Sequence, residues 1–388
     1  MKHADGCDAT TLRVSATEMR TKAGSRPLSH AFRFRALSLE GSHLWAFFMR
    51  KIEEWNRFFL SRGVSQEIIE SHLARINKLV ESGSPIIFEN EHLSLLLGIK
   101  YDVLLKMVNG SSSFYRQFTI KKRLGGVRVI EAPYPSLLHC QDWIYKNILL
   151  KVPVHDCAHG FVPGRSIFTN AKVHLSCSTL LKMDLKDFFP SIGIGWVINF
   201  FSGLGYSEMV AYSLAALCCN YGRLVQGSAT SPYLTNILLY KLDERLGRIA
   251  SKYGLRYTRY ADDLTFSGRY ISKNVPPLIS AIVGEFGLTI NDSKTRLLIE
   301  KNKKLVTGLS VAGDSLRITR ELRRTIKKEV FYIKKFGFQS HISQSKIRDP
   351  FYLESISGKV SFWLQAEPTN TEALECRNIL KSQACRDV

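Results

Sequence analysis

The chain lacks any run of 18 or more apolar residues, and its best stretch, near Met209–Cys219, is too short to cross a bilayer. The first 35 residues are polar and mildly basic, without the apolar segment of a secretion signal, so a cytoplasmic location with no membrane attachment is expected. Cysteine is present (Cys7, Cys140, Cys157, Cys177, Cys218, Cys219, Cys376 and Cys385), but no two form a C-x-x-C pair. His139, Cys140, His155, Cys157 and His159 cluster in sequence without a standard zinc spacing, which argues against a structural zinc site and leaves reduced thiols as the expectation. There is no internal repeat. Acids are scarce: 34 Asp and Glu face 54 Lys and Arg, a net charge of +20. A protein this basic meets polyanions, nucleic acid first, although a ribosomal or membrane-surface role would give the same number.

What is there supports a real core. Hydrophobic residues make up 45% of 388, enough for two or three subdomains and against global disorder. Residues 1–30 are expected to be disordered or loosely attached. Helical periodicity is predicted from about Leu44 to Leu79 (Trp45, Phe48, Ile52, Trp55, Phe59, then Ile68, Ile69, Leu73, Ile76, Leu79) and over Glu91–Met107. Phe118 to Ile130 reads as a hairpin around Gly125-Gly126, with cations on both arms. Helices are expected at Leu137–Leu150, Ile194–Phe201, Met209–Cys219, Pro232–Tyr253 and Pro276–Phe286, with strands at Thr179–Asp184 and near Leu297. Mixed helices and antiparallel hairpins imply an α+β fold. Ile318, Leu322, Ile326, Val330 and Ile333 mark one stripe of an amphipathic helix. Arg320, Arg323, Arg324, Lys327, Lys328 and Lys334 crowd its other faces; they read either as a solvated surface or, lacking matching acids nearby in sequence, as a surface for a polyanion.

Tyr260-Ala261-Asp262-Asp263 lies between two β-prone runs and predicts a hairpin with two acids at its tip. Adjacent carboxylates repel, so a half-buried pair calls for a cation, and Mg²⁺ is the hard, oxygen-seeking choice. Alone, such a pair is in most proteins a solvated turn, and its neighbours reverse that reading. A further acid, Asp184, ends an apolar β-prone run, where it could cap, form an ion pair, or project into a cleft. Three carboxylates from two adjacent strands could hold two divalent ions about 3.5–4 Å apart, an arrangement suited to in-line phosphoryl transfer.

With these residues in place, the chain resembles reverse transcriptases. Asp184-Leu185-Lys186-Asp187-Phe188-Phe189-Pro190-Ser191 is similar to their motif A, Gln226-Gly227-Ser228-Ala229-Thr230-Ser231-Pro232 to motif B, Tyr260-Ala261-Asp262-Asp263 to motif C, and Gly287 to Thr295 to motif D. Phe118 to Arg123, with Gly125 to Ile130 and Ala132-Pro133, resembles the fingers motif. Order and spacing hold over roughly residues 90–330. Asn170-Ala171-Lys172-Val173-His174 fits an N-A-x-x-H element and Val306-Thr307-Gly308 a V-T-G element, which together point to retron reverse transcriptases.

The resemblance implies a right-hand polymerase: an N-terminal extension over 1–85 (partly disordered, then helical), fingers over 86–178, a palm with an antiparallel sheet over 179–300, and a helical thumb with an RNA-recognition region over 301–388. It implies that Asp184, Asp262 and Asp263 are catalytic metal ligands for two Mg²⁺ ions (Mn²⁺ being a substitute), with the backbone carbonyl of Leu185 completing the site. Phe189 takes the place of the aromatic gate that excludes a ribose 2′-OH; structurally it could simply be core, but its place in the motif favours the gate. Lys122 and Arg128 would bind the triphosphate, Gln226 and Gly227 would lie along nucleotide and template, and Lys294 would approach the leaving phosphates. RNA would be held by Asn170, His174, Val306, Thr307, Gly308 and the cations from Arg320 to Lys328. Motif B departs from the family, with Val225 and Ala229 where proline is usual, so a looser loop is expected.

The family further implies a cognate structured noncoding RNA as template and primer, deoxynucleotides, a branched 2′,5′-linked RNA–DNA product, and anti-phage defence with an effector protein encoded nearby. No P-loop or separate nuclease cluster supplies effector chemistry here. A thumb fills the stretch after Gly308, so template removal is expected from a host RNase H. Other bacterial reverse transcriptases (group II intron, diversity-generating or abortive-infection type) and a non-catalytic RNA-binding protein on a polymerase scaffold are the rivals. The two short elements disfavour the former and three intact aspartates the latter.

Overall fold

Glycine punctuation divides what periodicity alone reads as long helices. The structure, a computed structural model, describes residues 52–122, 125–299 and 303–384. The anticipated disorder of residues 1–30, the apolar positions Trp45 and Phe48, and Arg123 of the fingers motif lie outside these. Helix α1 (Ile52–Ser61) turns at Gly63 into α2 (Gln66–Glu81). Helix α3 (Asn90–Leu97) ends at Gly98, whose φ of 66° lets its N–H return to Leu95 O, and α4 (Tyr101–Asn109) follows. Strands β1 (Tyr115–Lys121) and β2 (Val127–Pro133) form the expected hairpin, with Gly125 and Gly126 both at positive φ. Helix α5 (Pro135–Asn147) begins on proline, and α6 (Ile167–Lys172) on a reciprocal cap between Ser166 and Thr169.

Strands β3 (Thr179–Asp184), β4 (Arg256–Tyr260), β5 (Asp263–Gly268) and β6 (Arg296–Ile299) make a four-stranded antiparallel sheet in the order β4-β5-β3-β6. Helices α7 (Ile194–Leu204), α8 (Glu208–Cys218), α9 (Ser231–Leu238) and α10 (Tyr240–Lys252) lie between β3 and β4, and α11 (Val275–Glu285) follows β5. The predicted single helix Pro232–Tyr253 is therefore two, broken at Leu239. Alternation sorts the sheet's residues. Leu181, Met183, Tyr257, Leu264 and Phe266 face a core built with Leu242, Leu246, Ile279 and Val283. The opposite face carries Lys182, Asp184, Asp263, Thr265 and Ser267.

Beyond the sheet, β7 (Leu305–Val306) and β8 (Leu309–Ser310) form a small hairpin. Helices α12 (Arg320–Phe336), α13 (Phe338–Ser345), α14 (Tyr352–Ala366) and α15 (Thr371–Ala384) complete the chain. Ile318 precedes α12 rather than opening it, and Thr319 caps the helix by accepting from the Leu322 N–H. Ile326, Val330 and Ile333 join Ile356, Val360 and Trp363 in a second core, which also takes in Ala171, Cys177 and Leu180. Among the described residues no helix is long and apolar enough to cross a membrane.

Candidate active site

The pairing of β3 with β5 sets Asp184 opposite Asp263, on the sheet's polar face. Asp262 fills the two-residue loop just before, with Ala261 in the left-handed region at φ 56°. The Asp262 carbonyl accepts from the Leu185 N–H at 2.9 Å, which pins the loop to the end of β3. On the other side the Asn291 N–H donates to Asp184 O at 2.7 Å and the Lys186 N–H to Thr289 O at 2.8 Å, which bring the motif D segment alongside. The three acids predicted to work together thus come from the end of β3, the β4–β5 loop and the start of β5, where the two central strands of one sheet pair, and Asp184 is buried.

Their electrostatics follow from that crowding. Burial, with Asp184 and then Asp263 adding repulsion, pushes the Asp262 carboxyl up to about 6. Burial also raises Asp263; Lys182 opposes the rise and Asp184 adds to it. Lys294 Nζ donates to both carboxylate oxygens of Asp184 at 2.8 Å, and this hydrogen bond raises the lysine's own pKa. Among the described residues no three His, Cys, Asp or Glu side chains stand close enough together to hold a metal ion as they are. The donors nevertheless fit one. They are hard oxygens, they repel one another, and the oxygens of Asp184 already hold the Lys294 ammonium as counter-charge.

A buried network that sequence reasoning missed supports the loop. Arg259 and Asp243 form a fully buried ion pair, with Nη2 donating to Oδ2 at 2.6 Å and Nε to Oδ1 at 2.8 Å. Tyr257 donates its hydroxyl to Asp243 Oδ1 at 2.8 Å. Arg259 Nη1 reaches Asn236 Oδ1 at 3.0 Å and the Ala261 carbonyl at 3.3 Å, so the guanidinium grips the turn that carries Asp262. Such a pair is costly to bury and costlier to break singly. Its only sequence signal is an arginine at a core-facing position of an alternating strand.

Four of the predicted nucleotide contacts, Lys122, Arg128, Gln226 and Gly227, gather at the hairpin and the motif B loop, whereas Lys294 sits on Asp184. Lys122 and Arg128 are exposed at the tip of β1–β2, and Arg128 shares a hairpin face with Ile130, which lies against Gly227. Gly227 has φ 124°, and a Cβ there would come 2.6 Å from Glu131 O, so glycine is required for the hairpin to approach. The Glu131 N–H donates to Gln226 O at 2.8 Å, and the Glu131 carboxylate accepts from Asn220 Nδ2 and Arg223 Nη2. Phe189 is half-buried, its ring lying against those of Phe188 and Phe161.

In the motif B loop, expected to be looser, the two positions without proline each donate a hydrogen bond. Val225 N–H donates to Ser231 Oγ at 3.3 Å and Ala229 N–H to Gln141 Oε1 at 3.1 Å. Each N–H is one a proline would lack. Buried Gln141 also accepts from Ser228 Oγ and donates to Leu217 O. Two hydrogen bonds thus replace two fixed dihedrals.

The predicted RNA contacts need correction. Asn170 is 1% exposed and His174 not at all; His174 spans Ser267 Oγ at 2.6 Å and Thr258 Oγ1 at 2.7 Å beneath the sheet. Val306 is fully buried as well, so none of the three offers RNA a surface. Thr307 and Gly308, both at positive φ, form the two-residue β7–β8 turn, and Thr307 Oγ1 donates to Ile167 O at 2.9 Å. The N-A-x-x-H and V-T-G elements therefore make one internal joint between the sheet and the C-terminal helices. On α12, Arg323 pairs with Glu367 and lies over Trp363, Lys327 pairs with Glu372, and Lys334 with Glu375. Matching acids exist after all, supplied by the end of α14 and by α15. Arg320, Arg324 and Lys328 stay exposed at every fourth position, one stripe along the helix.

Residues 120–333 match the family model described as reverse transcriptase (RNA-dependent DNA polymerase). Retron Ec86 reverse transcriptase of Escherichia coli is 33% identical over 260 residues, which cover 66% of this chain and 81% of that one. The chain belongs to the retron reverse transcriptases. Retron Mx65 reverse transcriptase of Myxococcus xanthus is 37% identical over 274 residues, and retron Mx162 reverse transcriptase of the same organism 33% over 298. This retron chain covers 64% and 60% of those two, less than two-thirds of their length. Among solved structures, telomerase from Candida albicans in complex with a telomeric RNA fragment overlaps 69% of the chain and 63% of that one, at 12% identity and a TM-score of 0.40, too distant to add to the assignment.

Proposed function

We propose that the chain is an RNA-directed DNA polymerase that copies a structured noncoding RNA into branched, 2′,5′-linked multicopy DNA within an anti-phage defence system. The observation that carries the reading is the register that sets Asp184 opposite Asp263 with Asp262 in the adjoining loop. Asp184, Asp262 and Asp263, with the Leu185 carbonyl, are the groups that would hold two Mg²⁺ ions, replaceable by Mn²⁺, whose chemistry is to acidify an attacking hydroxyl and neutralise the leaving pyrophosphate. The chain's own residues do the rest. Lys122 and Arg128 bind the triphosphate from the hairpin. Gln226 and Gly227 hold the nucleotide against the template, Phe189 excludes the 2′-OH, and Lys294 exchanges Asp184 for the leaving phosphates. The division into fingers (86–178), palm (179–300) and thumb (301–388) belongs to this reading, as do a partner effector, a host RNase H and a cytoplasmic setting. Arg320, Arg324 and Lys328 are the thumb cations that meet RNA phosphates.

The test is a metal-dependent primer extension on the RNA that co-purifies with the protein. Asp262→Asn combined with Asp263→Asn abolishes synthesis and leaves RNA binding intact; extension by that double variant would overturn the metal assignment. Treating the product with a debranching enzyme separates a 2′,5′-linked primer from an ordinary one.

A further inference from the structure

The proposed sugar gate is not a solitary ring. The Phe161 ring centroid lies 6.4 Å from that of Phe189, with the planes tilted by 43°. Phe161 is 43% exposed and its backbone sits at φ 61°, a region that aromatic residues seldom occupy. A residue needed only to turn the chain would be glycine here, and a residue needed only for the core would be covered. Strain and exposure together in one residue beside a reactive site point to use of the side chain.

The loop presenting this ring is fixed on both sides. Before it, Gly160 lies so close to the catalytic turn that a Cβ would come 2.6 Å from Ala261 N, and its carbonyl accepts from Asn236 Nδ2 at 2.8 Å. The His159 N–H donates to Arg259 O at 2.8 Å, extending the edge of β4. Behind it, the Arg165 guanidinium donates to the carbonyls of His155, Asp156 and Ala158. Phe161 is therefore held one residue from the backbone that carries Asp262.

We infer that Phe161 is a second specificity-determining residue for the incoming deoxynucleoside triphosphate, forming with Phe189 an apolar wall against which the deoxyribose packs. The inference rests on the reading of Phe189 as the sugar gate. A 2′-OH pressed against that wall would lose its hydrogen bonds to water, whereas a deoxyribose loses nothing there.

Single-nucleotide incorporation with matched deoxy- and ribonucleotides tests this in Phe161→Ala, Phe161→Gly, Phe161→Tyr and Phe189→Ala, each checked by thermal melting. Phe161→Ala is expected to raise KM for the deoxynucleotide by about fivefold with kcat within about twofold, and to raise the ribo-to-deoxy ratio of kcat/KM by about tenfold. Phe161→Gly, which relieves the backbone, behaves like Phe161→Ala, and Phe161→Tyr like the parent. If Phe189→Ala relaxes discrimination and Phe161→Ala does not, this inference is overturned and the gate stands. If neither relaxes it, the gate reading falls and this inference with it. A Phe161→Ala defect confined to primer–template affinity would assign the ring to the nucleic-acid strand instead and overturn the proposal.

Discussion

Lys294 Nζ stands 2.8 Å from each carboxylate oxygen of Asp184, so the acid at the end of β3 carries its own counter-ion. An ammonium there competes with a divalent cation for the same two oxygens. Lys294→Met is expected to lower the Mg²⁺ concentration for half-maximal extension several-fold. It should also cut kcat by at least about tenfold, because the proton donor that the proposed function places near the leaving phosphates is lost. A Mg²⁺ titration at saturating nucleotide reads both effects, and an unmoved midpoint would show that the ion pair does not compete.

Asp262 is held up near 6 from an ordinary 3.8 by burial and by its two acidic neighbours. A carboxyl raised in the folded state contributes stability below its unfolded pKa and loses that contribution as pH rises through the folded value. Asp262→Asn removes the penalty. In metal-free buffer the variant should melt about 2–4 °C above the parent at about pH 7.5, with the gap closing near pH 4. A gap that widens on acidification would reverse the sign of the argument.

The α12 cations fall into two rows, one paired with acids and one exposed. Reversing Arg320, Arg324 and Lys328 should weaken single-stranded RNA binding and reduce its log–log salt slope by about 2, since about 0.7 counterion is released per contact. Replacing Arg323 and Lys327 instead should lower the melting temperature, because Glu367 and Glu372 lose their partners. Equal effects of the two sets on the salt slope would erase the distinction.

Gly227 admits no side chain, with Glu131 O 2.6 Å from where a Cβ would sit and φ at 124°. Gly227→Ala must push the hairpin away from the motif B loop. Nucleotide incorporation should fall by about a hundredfold in kcat/KM, since small misplacements of positioning groups are expensive. RNA affinity serves as the control and should hold, because the α12 stripe is remote from Gly227 in sequence.

Much of this was legible beforehand, and the lapses have physical causes. The Asp184 strand, the acid hairpin and the Gly-Gly hairpin announced themselves through local turn chemistry and alternation, which act within a few residues. Helix breaks at Gly98 and Leu239 were hidden because apolar periodicity runs straight across them. The acids that neutralise Arg323 and Lys327 lie some 45 positions downstream, beyond any local window. Asp243 and Gln141, and the partners of Arg259, were hidden for the same reason: a buried polar network is written in contacts between distant segments. His174 and Val306 show a further gap, since a short family signature marks a position without saying whether it faces outward or in.

The two motif B positions where proline is customary carry a practical warning. Reverting Val225 or Ala229 to the family's majority residue would look like a safe stabilising edit. Here it would erase the amide that Ser231 or Gln141 now receives. Consensus engineering of this chain should therefore leave both sites alone, because the alternative wiring has become part of how the loop keeps its shape.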